Sequence, residues 1–426
     1  MKILVIGSGG REHALIWKLA ASPRRPVLYC APGNAGTADL ATNVPISAGD
    51  LDELLAFALR EQIDLTVVGP DDTLAAGCVD RFEAAGLRIF GPCQQAARLE
   101  SSKIFAKDFM LRHGIPTARA GSFDHPADAI RFLDTVAFPV VIKADGLALG
   151  KGVVICASRD EAVGAIRSMM EAKIFGAAGS RILIEEYLEG VECSIHALID
   201  GEHALLFPVA RDHKRVGEND IGPNTGGMGT VSPPPEATPG LIDRVRHEVI
   251  DPFLRGIAAD AIPFRGMLFP GLMLTADGLR VLEFNCRFGD PETQPIMCRL
   301  RSDLPALCEA ALDGRLDQVR MDWDPRAALG VVMAAGGYPD GVRKGDPIEG
   351  LERAARLPGK VFHAGTAIGA AGKVLTSGGR VLCAVGLGDT VGAAQREAYA
   401  LVAAIRWRDV QFRSDIGHRA IARERA

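Results

Sequence analysis

Apolar residues along this chain follow two rhythms, and their alternation predicts the architecture. Short apolar runs at 3–6, 27–30, 65–68 and 87–90 have the length and sharp edges of buried strands. Between them, residues 12–20, 51–59 and 75–85 place apolar side chains at helical spacing. Strand and helix in strict alternation predict a parallel sheet. The turns after the first three strands read GSGG, APGN and GPDD, at the carboxyl ends where open α/β sheets hold ligands.

A helix over residues 103–113 runs into GIP, where Pro116 stops it. The segment PVVIKADGLALGKGVVIC then predicts two strands joined by a glycine-rich loop, and RILIEEYLEG a strand entering a turn. Residues 211–235 are rich in Gly, Pro, Asn and charge, which predicts an irregular functional loop. A strand over 279–286 leads into a Gly-Asp-Pro turn. Past Trp323-Asp324-Pro325 come the short strands GVVMAAGG, KVFHAGTA and RVLCAVGLG, then a helix over 391–405.

A chain of 426 residues needs more than one core, and its 48% hydrophobic and 24% charged residues supply soluble globular domains. A formal charge of −5 argues against broad nucleic-acid binding, though local phosphate sites remain compatible with it. The nine cysteines form no C-x-x-C pair, the pattern of reduced thiols in a cytoplasmic protein. The first apolar run is too short for a signal-peptide core, and no stretch reaches the ~18 apolar residues of a membrane helix.

In GSGGREH the dinucleotide spacing from Gly7 and Gly9 falls on Glu12 instead of a third glycine, which argues against a nicotinamide site. Gly9 and Gly10 at a helix start can still hold one phosphate, or serve only a tight turn. Lys143 and Lys151 flank Gly146, Gly150 and Gly152. This is not a Walker A loop, but it suits a lid over a triphosphate; a plain surface hairpin is the other reading. Glu283, Asn285 and Arg287 alternate, so they emerge on one strand face. A carboxylate and an amide oxygen there suit Mg²⁺, and the arginine suits a transferring phosphoryl group or a carboxylate. Asp212, His213, Lys214 and Arg215 form either a substrate clamp or a solvated run. Zinc-ligand spacing and a serine nucleophile elbow are both absent from the sequence.

These motifs together resemble the phosphoribosylamine–glycine ligase family of the ATP-grasp superfamily. The resemblance runs from MKILVIGSGGREHAL and APGNAGT through VIKADGLALGKGV, DHKRVGENDIGPNTGGMG and EFNCRFGDPETQPIM to GVVMAAGGYP and KVFHAGT. It implies an α/β fold: a Rossmann-like parallel-sheet domain over 1–102, an ATP-grasp domain over 103–326 with a lid subdomain near 120–190, and an α+β C-terminal domain over 327–426. The implied reaction joins glycine to 5-phosphoribosylamine through glycyl phosphate, using ATP and Mg²⁺, with Mn²⁺ as an alternative ion. The alternative is another ATP-grasp carboxylate–amine ligase with a changed substrate.

Carried across by motif, Lys103, Lys143, the lid glycines Gly146, Gly150 and Gly152, and Lys151 are expected on the nucleotide phosphates. Glu185 and Leu188 are expected at the adenine and Glu192 at the ribose. Glu283 and Asn285 would hold the metal, and Arg287, Lys214 and Asp212 would act on the reacting groups. Asn224, Thr225, Gly226 and Gly227, with Gly9, Gly10, Asn34, Gly36, Thr37 and Asp71, are expected on the substrate side. The chain departs from the family pattern at Asp71 and Thr73, where Glu and Pro are customary. Leu149 replaces Ala, Arg211 replaces Gln, and Phe269-Pro270 replaces Tyr-Ala. Arg211 would add a cation beside the amino-acid pocket. A cytoplasmic monomer, with no nucleic-acid or membrane partner, is expected.

Overall fold

The computed structural model describes residues 1–147 and 152–424. Leu149, Gly150 and Lys151, expected in the lid, lie outside the described residues. Strands Thr42–Asn43, Val27–Pro32, Lys2–Gly7, Leu65–Val68 and Ile89–Phe90 form, in that order, one parallel sheet. Leu4 and Ile6 pack with Leu54 and Phe57 on one face, while Ile3 and Val5 pack with Leu15 and Ile296 on the other. Burial of both faces is why the run is apolar throughout. The strand order reverses between Lys2–Gly7 and Leu65–Val68, whose carboxyl ends lead to Gly9 and Asp71.

Two local expectations change here. The helix expected over 75–85 is two helices, Asp71–Ala75 and Cys78–Ala84, interrupted where Gly77 takes φ +83°. Glycine adopts that left-handed conformation without a steric penalty, and the helical ladder breaks there. The edge strand Thr42–Asn43 is too short and polar to leave a hydrophobic pattern.

Two antiparallel sheets follow. The smaller joins Ala120–Phe123, Ile182–Glu186, Val140–Ala144 and Val153–Cys156, with its own core of Ile142, Ile184, Ile166 and Met169. In the larger, Gly266–Thr275 runs between Val191–Ser194 and Ala197–Ile199, and Gly278–Asn285 also pairs with it. Phe109, Phe253 and Phe284 make the core of this part continuous with the N-terminal one.

The last large sheet orders Arg211–Asp212, Gly229–Ser232, Ala327–Ala334, Arg380–Gly388 and Lys360–His363, all antiparallel. Segment 211–235 therefore carries short strands where an irregular loop was expected, including the hairpin Arg215–Gly217 with Ile221–Asn224. Gly229–Ser232 also pairs with the distant Ala327–Ala334, a partner that local composition does not announce. The KVFHAGTA strand also divides, Lys360–His363 joining this sheet and Thr366–Ile368 pairing with Val374–Thr376. All nine cysteines are free thiols. Among the described residues no helix is long and apolar enough to cross a membrane.

Candidate active site

The strand Gly278–Asn285 is half-buried, with Phe284 and Cys286 packed into the core and Glu283 turned to the cleft. Lys143, on Val140–Ala144 of the small sheet, reaches across: its ammonium donates to the Leu282 carbonyl at 3.0 Å and pairs with Glu185 at 2.7 Å. Lys103 opens the helix Lys103–Arg112, and its Nζ lies 3.9 Å from Glu283 Oε2. Asp145, at the end of the Lys143 strand, accepts from Ser102 Oγ at 2.8 Å and from the Ile104 amide at 3.1 Å. Helix and small sheet are thus tied together, which fixes the spacing of the two lysines.

Burial alone would raise the Glu283 carboxyl. Lys103, Lys214, Lys143 and Arg287 outweigh it and hold the group down at about 2. Glu283 is therefore an anion at neutral pH inside a ring of cations. Asn285 Oδ1 accepts from Arg287 Nη2 at 3.2 Å, and the same nitrogen pairs with Glu100 at 3.0 Å. Glu100 also accepts the Cys286 amide at 2.6 Å, which clamps the strand end on which the arginine sits. Burial disfavours the Arg287 charge, but Glu100, Asp71 and Glu292 more than compensate, so it stays protonated.

Lys214 pairs with Glu192, which places the expected ribose contact beside the expected catalytic lysine. Asp212 accepts the His213 amide at 2.6 Å. Burial and the neighbouring Glu292 raise the Asp212 carboxyl well above its ordinary range, against the pull of Lys214. The 224–227 loop folds over this group. Asn224 ends the exposed hairpin, and Thr225 Oγ1 donates to the Lys214 carbonyl at 2.8 Å and accepts the Gly227 amide at 3.0 Å. Gly227 has φ +111°, and a Cβ there would meet Pro291 Cδ at 2.4 Å and Asp212 Oδ1 at 2.7 Å, so glycine is required.

The N-terminal group is more self-contained than the sequence suggested. The Gly9 amide donates to Glu12 at 2.6 Å, while Asn34 Oδ1 accepts the amides of Gly36 and Thr37 at 2.8 and 3.0 Å. Asn34 Nδ2 donates to the Ser8 and His363 carbonyls, so its whole amide organises the turn. Gly10 begins the helix Gly10–Ala20 and lies against Gln294, whose Nε2 donates to Asp290 at 2.8 Å. This group reaches the cleft through the Asp290 turn.

Glu185 is 3% exposed at its side chain and sits between Lys143 and Lys107, its Oε1 at 2.8 Å from Lys107 Nζ. Its carboxylate is committed to two lysines. Leu188, half-buried, follows that strand, and Gly146 packs on Ala178 while the Gly152 carbonyl accepts the Ala144 amide at 2.8 Å. Lys107 was missed in the sequence; it is four residues after Lys103 and so shares its helix face. Glu100, Asp290, Glu292 and Arg380 were missed too, because only tertiary structure brings them here. Arg211 pairs with Glu236 at 2.9 Å, and the same carboxylate oxygen also takes Arg423. Thr73 is buried and bonds the Ala48 carbonyl, and Phe269 stacks on His196 at 4.4 Å. His196 is fully buried and neutral, held at about 3 by burial and Arg287, and its Nε2 accepts the Gly289 amide at 2.9 Å.

The arrangement offers an anion-binding cleft beside a paired oxygen-donor strand, with carboxylates further in. The chain matches the phosphoribosylglycinamide synthetase N domain over residues 1–100, the ATP-grasp (A) domain over 101–293 and the C domain over 328–419. It is 56% identical over 428 residues to a phosphoribosylamine–glycine ligase of Xanthomonas axonopodis pv. citri, covering 100% of this chain and 99% of that protein. The solved phosphoribosylamine–glycine ligase of Thermotoga maritima superposes with a TM-score of 0.83 at 34% identity, over 98% of this chain and 100% of that one. Biotin carboxylase of Campylobacter jejuni shares the fold at 12% identity, with a TM-score of 0.72 over 96% of this chain and 92% of that one. The chain therefore belongs to the phosphoribosylglycinamide synthetase family and has its ATP-grasp architecture.

Proposed function

We propose that this protein joins glycine to 5-phosphoribosylamine at the expense of ATP, giving glycinamide ribonucleotide, ADP and phosphate for purine synthesis. The observation that carries the reading is the convergence of Lys103, Lys143, Lys214 and Arg287 on Glu283, in a chain whose full-length relatives bear that enzyme's name. A carboxylate is a poor acyl donor because its oxygen is a poor leaving group. In the first step a glycine carboxylate oxygen attacks the γ-phosphorus of ATP and ADP leaves. In the second the amine nitrogen attacks the glycyl carbonyl carbon, loses a proton, and expels phosphate.

Lys143 and Lys103 neutralise charge on the phosphate oxygens, and Arg287 is placed to steady the transferring group and the carboxylate it joins. Lys214 and Asp212 line the amino-acid side, under the loop 224–227. The N-terminal turns at Gly9, Gly10 and 34–37, with Asp71, face the phosphoribosyl side. Among the described residues no cluster of three or more His, Cys, Asp or Glu forms a closed metal cage. Glu283 and Asn285 would supply two oxygens, a donor set that fits a hard cation such as Mg²⁺ or Mn²⁺. When bound, that ion supplies positive charge to the phosphates. The protein works as a monomer in the cytoplasm.

The test is ADP release with ATP, glycine and freshly generated phosphoribosylamine, omitting each in turn. Turnover must require all three; equal turnover with alanine in place of glycine, or with glycine omitted, contradicts the assignment.

A further inference from the structure

Gly226 lies within the loop 224–227 over Asp212, and both its backbone polar groups are held from outside the loop. Its amide donates to the Tyr338 hydroxyl at 3.2 Å, and its carbonyl accepts from Arg380 Nη1. Arg380 opens the strand Arg380–Gly388 of the last sheet, and the Tyr338 ring lies against the adjacent Gly379. The same guanidinium donates to the Asp290 carbonyl at 2.7 Å and pairs with the Asp290 carboxylate at 3.1 Å. Asp290 in turn accepts from Gln294, which presses on Gly10. One arginine therefore joins the loop, the turn after the metal-site strand and, at one remove, the N-terminal glycine turn.

We propose that Arg380 and Tyr338 are positioning residues, by which the C-terminal sheet sets the loop 224–227 and the Asp290 turn around the amino-acid and amine subsites. A Thr-Gly-Gly segment loses much conformational freedom on ordering, so hydrogen bonds at both polar groups of Gly226 decide its position. The planar fork of arginine serves three acceptors at once; a lysine ammonium is a point charge and cannot hold all three in this geometry. The nucleotide side is built separately. Lys143 and Lys107 pair with Glu185, Lys103 faces Glu283, and neither Arg380 nor Tyr338 reaches these groups. A split between substrates follows.

The inference rests on the functional reading above, and its test separates the two. In Arg380→Lys the KM for glycine and for phosphoribosylamine should rise about tenfold or more, and in Tyr338→Phe roughly threefold, while ATP affinity by calorimetry stays within about twofold. Hydrogen exchange of the peptide spanning 224–227 should accelerate in both variants even without substrates, at an unchanged melting temperature. If ATP affinity falls as far as the KM values rise, or if exchange and KM are unmoved, the positioning role is refuted. If the wild-type protein does not use glycine and phosphoribosylamine, the functional reading fails; the exchange result then still decides whether these two residues hold the loop.

Discussion

Replacing Glu283 by glutamine removes one negative charge and almost no volume from the centre of four cations. Lys103 is 3.9 Å away. At that separation one pair is worth about 4 kcal/mol at an effective permittivity near 20, and about 1 kcal/mol in water. The Glu283 side chain is 34% exposed to the cleft, so the lower part of that range applies to stability. The cations also keep other partners: Lys143 has Glu185, Lys214 has Glu192 and Arg287 has Glu100. The melting temperature of Glu283→Gln should therefore stay within about 3 °C of wild type. Turnover is another matter, because on the proposed function glutamine would offer a bound Mg²⁺ an oxygen without charge, just where phosphoryl charge would develop. Loss of one such electrostatic group costs about 10²–10³ in rate. ADP release measured across a Mg²⁺ titration, with a melt on the same samples, checks both halves. Near wild-type turnover at ordinary Mg²⁺, or unfolding of the variant, would refute the reasoning.

Other consequences follow from individual contacts. Gly227→Ala forces a side chain onto Pro291 and Asp212 at φ +111°, so kcat/KM for glycine should fall roughly 10²-fold with ATP affinity unchanged, as calorimetry and initial rates would show. Lys107→Met leaves Glu185 with Lys143 alone in a buried site and, by losing a charge-assisted bond while that pair persists, should cost about 2 kcal/mol in urea unfolding. His213 is neutral when folded, held at about 4 by burial, with Nδ1 against the Gly229 carbonyl and Nε2 accepting the Gly417 amide. Its folded value lies below the unfolded one of about 6.5, so the unfolded chain takes up the proton first and stability falls as pH drops from 6.5 towards 4. Between pH 8 and pH 5 this group should account for about 2 kcal/mol, and His213→Asn should flatten that part of the pH profile.

The sheets with local logic were legible in the sequence. The first strand is apolar because two cores claim its faces, and RVLCAVGLG forms the strand Arg380–Gly388. The alternation of Glu283 and Asn285 does place them on one strand, with Arg287 just past its end. What stayed hidden depends on distant chain segments. The strand Gly229–Ser232 is held between Arg211–Asp212 and the distant Ala327–Ala334, and no local pattern announces that second partner. Glu100 matters because Arg287 and the Cys286 amide both turn to it. The internal bonding of the N-terminal glycine turns was also hidden: Glu12 accepts the Gly9 amide, and Asn34 the amides of Gly36 and Thr37. The partner of Arg211 was equally hidden: Glu236, shared with Arg423, comes from elsewhere in the chain.

The central claim is that a glycine carboxylate is phosphorylated at the face of the Glu283 strand before the amine attacks. Glycine labelled with oxygen-18 in its carboxylate tests it directly, with the phosphate product read by phosphorus NMR. Attack on glycyl phosphate breaks the acyl carbon–oxygen bond, so each phosphate must carry one labelled oxygen. Phosphate without label, formed at the rate of product, would contradict the account.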